Sequence, residues 1–124
     1  KETLTGTYNV TIYLVEDKVV GGSQYNQSNY FDDTPSSPFY QKGDPMVGYE
    51  HMGVVRDALT GDFGDVLSSS NIKPGGEEVV TKTADVSAYK KENLRVVAFI
   101  NSASSPYEIL NVQEVTLGGL KNWD

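Results

Sequence analysis

Residues 7–15 alternate between two sets of side chains, and this alternation restricts the fold more than any other feature of the chain. One set is Tyr8, Val10, Ile12 and Leu14, and the set between them is Thr7, Asn9, Thr11 and Tyr13. A period of two, with β-branched and aromatic residues, is typical of a half-buried β-strand. The sequence therefore predicts a strand over residues 7–15.

Later segments also carry strand patterns. We predict strands at residues 47–59, with an irregularity near Gly53, at 78–86, at 94–100 and at 110–117. The run 94–100 is nearly all apolar, which is typical of a central strand buried on both faces. In the last segment the apolar residues change parity, so a β-bulge is expected near Gln113 and Glu114. With no convincing helical period, the pattern predicts an all-β antiparallel sandwich.

Composition narrows the classes of function. The chain has 124 residues, a net charge of −7 and no cysteine. This length suits a single domain, over residues 1–124. Ten basic residues against seventeen acidic ones give no electrostatic footprint for nucleic acid or an anionic membrane. The lack of cysteine excludes thiol catalysis, thiolate zinc sites and disulfides.

The sequence also lacks the motifs of an enzyme. His51 is the one imidazole available as a general base, and no serine lies in a G-x-S-x-G elbow. A lone histidine near Tyr49 and Arg56 is more often structural. We therefore expect a protein that is not an enzyme.

Calcium is the cofactor hardest to dismiss, since it binds carboxylate oxygens without needing histidine or cysteine. Two sets of carboxylates are candidates, Asp32, Asp33 and Asp44, or Asp57, Asp62 and Asp65. Neither set matches an EF-hand loop, and aspartate is also common in solvated turns. We expect no cofactor, with calcium as the open alternative.

A long polar segment at residues 23–45 contains a cluster of aromatic residues. These are Tyr25, Tyr30, Phe31, Phe39 and Tyr40. Their rings either tether the loop to its own sheet or offer flat faces to a ligand. Long loops often carry function, so these five residues form the candidate ligand-binding set.

Four segments, in this order, resemble a known family. They are residues 13–17 (YLVED), 49–61 (YEHMGVVRDALTG), 94–100 (LRVVAFI) and 108–115 (EILNVQEV). Together they resemble the C-terminal β-sandwich region of the 28-kilodalton outer-membrane protein (Omp) family of Bacteroidetes lipoproteins. The family positions at Tyr49, His51, Arg56, Leu59, Gly61 and Gly64 are kept. Asp57 stands where the family usually has a small residue, and Asp62–Phe63 stand where Thr-Trp is common.

The resemblance implies an immunoglobulin-like antiparallel β-sandwich with one long aromatic-rich loop, as the C-terminal part of a larger lipoprotein. It implies a location in the cell envelope, anchored to the outer membrane through a part outside these residues. The family supplies no catalytic residues. Tyr49, His51 and Arg56 are then a structural polar cluster that fixes the sandwich register.

On this basis we expect a non-catalytic binding or adhesive module whose partner is a protein or a glycan at the cell envelope. The alternative is a structural spacer that supports a separate N-terminal, thioredoxin-like domain. A third possibility, an accessory domain for a thiol-redox partner, depends on family analogy alone.

Overall fold

The structure, a computed structural model, describes residues 5–69 and 72–122. Its strands are β1 (Tyr8–Glu16), β2 (Val54–Ala58), β3 (Asp65–Val66), β4 (Leu94–Ser102) and β5 (Ile109–Thr116). They form one sheet in the order β2-β1-β4-β5, with β3 also paired to β1. The β1–β3, β1–β4 and β4–β5 pairs are antiparallel. Among the described residues, helical structure is limited to two short 3₁₀ turns, Ser23–Tyr25 and Lys91–Asn93. The predicted all-β antiparallel fold is confirmed, and a second sheet that would complete a sandwich stays a prediction.

The chain divides into two compact units. One contains Lys1–Glu16 with Val55–Asp124 and so carries most of the sheet, and the other is Asp17–Val54. In the sheet unit, Leu14, Val15 and Leu94 form the buried apolar core. No helix within the described residues has the length and apolarity to cross a membrane.

The strand predicted at residues 7–15 is confirmed as β1, which pairs with β4 along its whole length from Tyr8 to Glu16. Its burial differs from the simple alternating pattern. Asn9 and Thr11 are buried, whereas Val10 and Ile12 are half-buried. Thr11 Oγ1 donates to Asn101 Oδ1 at 3.1 Å and Asn9 Nδ2 donates to the Phe63 carbonyl at 2.7 Å, whereas Asn9 Oδ1 is buried without a hydrogen-bond partner among the described residues.

The central position of residues 94–100 is confirmed, because β4 lies between β1 and β5. The expectation that both faces of this strand are buried is wrong. Residues 95–100 are all half-buried. The apolar run reflects a central strand whose two faces are each covered in part.

The strand predicted at residues 78–86 is wrong, because this segment is irregular. Side chains hold it in place instead of a ladder of backbone bonds. Glu78 Oε2 accepts from the Ser68 N–H at 2.8 Å, and Lys82 pairs with Asp65. Val79, an apolar residue that a half-buried strand would cover, is 81% exposed.

Two irregularities were predicted along the strands. The strand predicted at residues 47–59 with an irregularity at Gly53 is confirmed only in its second half as β2, because Gly53 has φ +68° and residues 47–53 hold no strand beyond an isolated bridge at His51. The bulge predicted near Gln113 and Glu114 lies elsewhere. Ile100 pairs with Asn111 and Asn101 pairs with Ile109, so Leu110 is the extra residue of β5.

Candidate functional site

The unit Asp17–Val54 is organised around one buried polar side chain, Asn29, which is 4% exposed. Its Nδ2 donates to the carbonyls of Phe39 at 2.9 Å and Gly43 at 3.2 Å, and its Oδ1 accepts from the Phe31 N–H at 3.1 Å. The Asn29 N–H donates to Asp44 Oδ1 at 3.0 Å. The side-chain amide and the backbone N–H of Asn29 together therefore close the loop from residue 29 to residue 44.

Backbone contacts fasten the ends of the same unit. Val19 and His51 exchange two hydrogen bonds of 2.9 Å, and Gln27 and Met46 form a second bridge. Asp17 Oδ1 also accepts from the Gly53 N–H at 2.8 Å. The long segment predicted as a loop is thus held by its own hydrogen bonds, with Val19 and Met46 as its buried apolar residues.

The five candidate aromatic residues differ in their surroundings. Tyr30 is 92% exposed and Phe31 is 55% exposed. Phe39 and Tyr25 are less exposed and Tyr40 is half-buried. The Tyr25 ring also packs edge-on to His51, with the ring centroids 6.3 Å apart. Tyr30 and Phe31 therefore fit the binding alternative, and Tyr25 fits the tethering one.

A shallow groove of about 330 Å³ lies in the same unit. Its lining residues are Pro38, Phe39, Lys42, Met46, Val47 and Tyr49. Two aromatic rings and aliphatic side chains make most of the lining, and Lys42 is its charged member. No carboxylate of the described residues forms an ion pair with Lys42. We call this lining, together with Tyr30 and Phe31, the aromatic surface.

Tyr49 and His51, two members of the predicted polar cluster, are in contact. Their rings meet edge to face, with centroids 5.0 Å apart. His51 Nε2 lies 2.7 Å from the Tyr25 carbonyl oxygen. Because a carbonyl only accepts, Nε2 carries the proton and donates. The imidazole therefore links residue 51 to the backbone of residue 25.

Arg56, the third member, belongs to the sheet unit and has other partners. Its Nε lies 3.1 Å from Glu16 Oε2, and its guanidinium carbon lies 4.7 Å from the centroid of the Tyr89 ring. Glu16 is 5% exposed and also accepts from the Lys90 N–H at 3.0 Å. Sequence analysis missed Glu16, although it follows Leu14 on the same face of β1 and so has the parity of a covered position.

Several of the carboxylates considered for calcium already form hydrogen bonds or ion pairs within the protein. Asp32 Oδ1 accepts from the Gly43 N–H at 2.7 Å, and Asp44 accepts from Asn29. Asp65 is bound by Lys82 and by the Gly61 N–H, and these contacts, Lys82 first, lower the pKa of its carboxyl below the ordinary value. Asp33, Asp57 and Asp62 are exposed. Within residues 5–69 and 72–122, no group of three or more histidine or acidic side chains is arranged to hold a metal ion.

A second groove lies in the sheet unit, with a volume of about 690 Å³. Val10 and Ile12 of β1 and Ala98 and Ile100 of β4 form its floor. Its walls include Leu67, Ile72 and Glu77, together with Glu78 and Val80 of the irregular segment. This groove explains why Val10 and Ile12 are less buried than Asn9 and Thr11 on the other face of β1.

We compared the chain with family models, with curated proteins and with solved structures. No family model, no curated protein and no solved structure matches this chain.

Proposed function

We propose that this chain is a non-catalytic binding module that contacts a protein partner through the aromatic surface. The observation that carries the proposal is the exposure of Tyr30 on a loop fixed by the buried amide of Asn29. Exposed aromatic side chains on a rigid support lose little conformational entropy on binding, so they make effective anchors.

The lining of the groove favours a protein partner over a glycan. A sugar carries many hydroxyl groups, and each needs a hydrogen-bond partner when it leaves water. The groove instead offers two rings, aliphatic side chains and one ammonium group. An apolar side chain of a partner protein, next to a carboxylate that pairs with Lys42, fits this chemistry better.

The setting of this module is also part of the proposal. We propose that it belongs to a cell-envelope lipoprotein similar to the outer-membrane family described above. This part is supported by the four sequence segments and by their order along the chain. It makes envelope proteins the first partners to test.

The experiment is a titration followed by backbone-amide NMR, with pooled peptides of envelope proteins and, separately, pooled glycans. We expect peptide-induced shifts in residues 17–54, and we expect a double variant Tyr30→Ala/Phe31→Ala to lose them. Tyr107→Ala is the matched control, because Tyr107 is also an exposed aromatic residue but lies in the sheet unit. Shifts with glycans alone would replace the protein partner with a sugar, and undiminished peptide binding by the double variant would refute the proposed surface.

A second candidate function is a structural spacer that supports another domain. The groove over Val10, Ile12 and Ile100 favours it, since half-covered apolar surface suits a neighbouring domain. With an isolated thioredoxin-like domain as the probe, this function predicts shifts at those residues and their loss in Ile12→Lys. No shift in the sheet unit would argue against the spacer.

A further inference from the structure

Strand β5 is the last strand of the sheet and presents a row of backbone groups on its outer side. Leu117 N–H donates to the Leu94 carbonyl at 3.0 Å, so Leu94 and Leu117 are a hydrogen-bonded pair. Hydrogen-bonded pairs alternate along an antiparallel ladder, and they therefore include Asn111, Gln113 and Val115 of β5. The N–H and carbonyl groups of Val112 and Glu114 point away from β4, toward the outer edge.

The outer edge carries few of the features that usually prevent strands from pairing, and its bulge at Leu110 lies at the start of β5. Residues 109–116 contain no proline and no lysine, and Glu114 is the one charged residue. The Glu114 carboxylate lies 3.5 Å from Arg95 Nε on β4, so its charge is offset from within the sheet. Val112 is 57% exposed and Ile109 is 58% exposed. Beyond the bulge the edge is extended and close to neutral, and it presents exposed apolar side chains between polar ones.

We propose that β5 pairs antiparallel with β5 of a second copy of this chain, across a two-fold axis at Val112. The pattern of side chains favours a second copy in this register. The axis at Val112 sets Val112 against its counterpart and Asn111 against Gln113, so apolar meets apolar and amide meets amide. The two Glu114 carboxylates lie on either side of this central pair, each toward the bulge at Leu110 of the other copy, and so stay apart.

Other registers are less favourable. An axis at Glu114 would set two carboxylates directly opposite each other, which destabilises a strand pair. An axis at Gln113 would set Val112 opposite Glu114, so each valine would face a charge. Pairing through β5 depends on the sheet unit alone and holds whether or not residues 17–54 bind a partner.

The first test is the oligomeric state measured by sedimentation velocity from micromolar to millimolar concentration. We expect the parent chain to shift from monomer to dimer, and Val112→Lys to weaken the dimer at least tenfold because two ammonium groups would then face each other. Val79→Lys is the matched control, since Val79 is exposed and lies outside the strands. A parent chain that is monomeric throughout would overturn the proposal, and so would a Val112→Lys variant that dimerises as the parent does.

The second test fixes the register, and it is simple because the chain has no cysteine of its own. Opposed residues of a hydrogen-bonded pair lie about 5.5 Å apart between Cα atoms. In Val112→Cys, a short bismaleimide should therefore link the two introduced thiols into a covalent dimer. Val79→Cys should give none. A dimer that Val112→Cys does not capture would overturn pairing at Val112.

Discussion

At the scale of single residues, the amide of Asn29 determines the shape of the segment that carries the aromatic surface. Its side chain makes three hydrogen bonds to backbone groups while it is almost fully buried. We expect Asn29→Ala to lower the free energy of unfolding by about 2–3 kcal/mol, because three part-buried hydrogen bonds are lost together. Chemical denaturation followed by circular dichroism measures this change.

The matched control is Asn26→Ala in the same segment. The Asn26 side chain makes no hydrogen bond with the described residues. Its replacement should change the free energy of unfolding by no more than about 0.5 kcal/mol. Equal losses in the two variants would show that Asn29 is not the organising residue.

The ion pair between Asp65 and Lys82 gives a prediction in acid. The Lys82 hydrogen bond is the largest cause of the lowered pKa of Asp65, and the Gly61 N–H is the next. Because the folded pKa lies below the unfolded one, the pair stabilises the fold above about pH 4, and that contribution is lost as the pH falls further. Carboxyl-carbon NMR should show the pKa of Asp65 rising toward its ordinary value in Lys82→Met. The pKa should be unchanged in Lys73→Met, and a lowered pKa that persists without Lys82 would contradict this cause.

At the scale of elements, the close approach of the β2–β3 turn to β1 depends on Gly64. Its φ is +86°, and a Cβ at this position would lie 2.6 Å from Thr11 Oγ1 and 2.7 Å from the Val10 carbonyl oxygen. We expect Gly64→Ala to cost more than about 2 kcal/mol, from backbone strain and from the clash together. Thermal unfolding measures the loss.

Gly118 separates the two causes. It has φ +81°, and a Cβ there would meet nothing within 4 Å. Gly118→Ala should therefore cost about 1 kcal/mol, from strain alone. Similar losses in both variants would mean that the turn does not pack closely on β1.

The pair of Glu16 at the end of β1 and Arg56 in β2 joins two neighbouring strands. Removal of the guanidinium in Arg56→Leu leaves a buried carboxylate with the Lys90 N–H as its remaining donor. We expect a loss of about 3 kcal/mol and a fall of several degrees in the melting temperature. A double-mutant cycle with Glu16→Gln isolates the pair, and an unchanged melting temperature in Arg56→Leu would contradict its role.

The elements that the sequence predicts well are those where local pattern and hydrogen bonding agree. Alternation located β1, and the apolar run located β4 in the centre of the sheet. Residues 78–86 carry a similar pattern, but Glu78 and Lys82 bond to Ser68 and Asp65, so side chains replace the ladder. Such contacts depend on which turn lies nearby, and a one-dimensional pattern does not contain that information.

The candidate site was predicted in part for the same reason. Aromatic residues in a polar segment indicated a surface, and Tyr30 and Phe31 are exposed there. The role of Asn29 could not be predicted, since asparagine is common in loops and the partners of its side chain lie up to fourteen residues away. The partner of Arg56 was missed because Glu16 is followed by Asp17 and Lys18, and such a polar run is typical of a turn.

At the scale of the whole molecule, an acidic excess opposes any association of two copies. Each chain carries a net charge of −7 at pH 7, and its isoelectric point is about 4.6. The β5 edge is itself close to neutral, because Arg95 offsets Glu114. Repulsion between copies therefore comes from the rest of the surface and acts over a longer range than strand pairing does.

This difference in range predicts how dimerisation responds to salt. Charges on two surfaces are screened beyond about 8 Å at 0.15 M salt and about 3 Å at 1 M, whereas backbone hydrogen bonds and apolar contacts persist. We expect the dissociation constant of the β5 dimer to fall as sodium chloride is raised from low concentration, and to level off once the repulsion is screened. Sedimentation velocity at fixed protein concentration measures this trend, with Val112→Lys as the variant that stays largely monomeric. A dissociation constant that rises with salt would mean that ion pairs hold the two copies together, which the neutral edge of β5 does not provide.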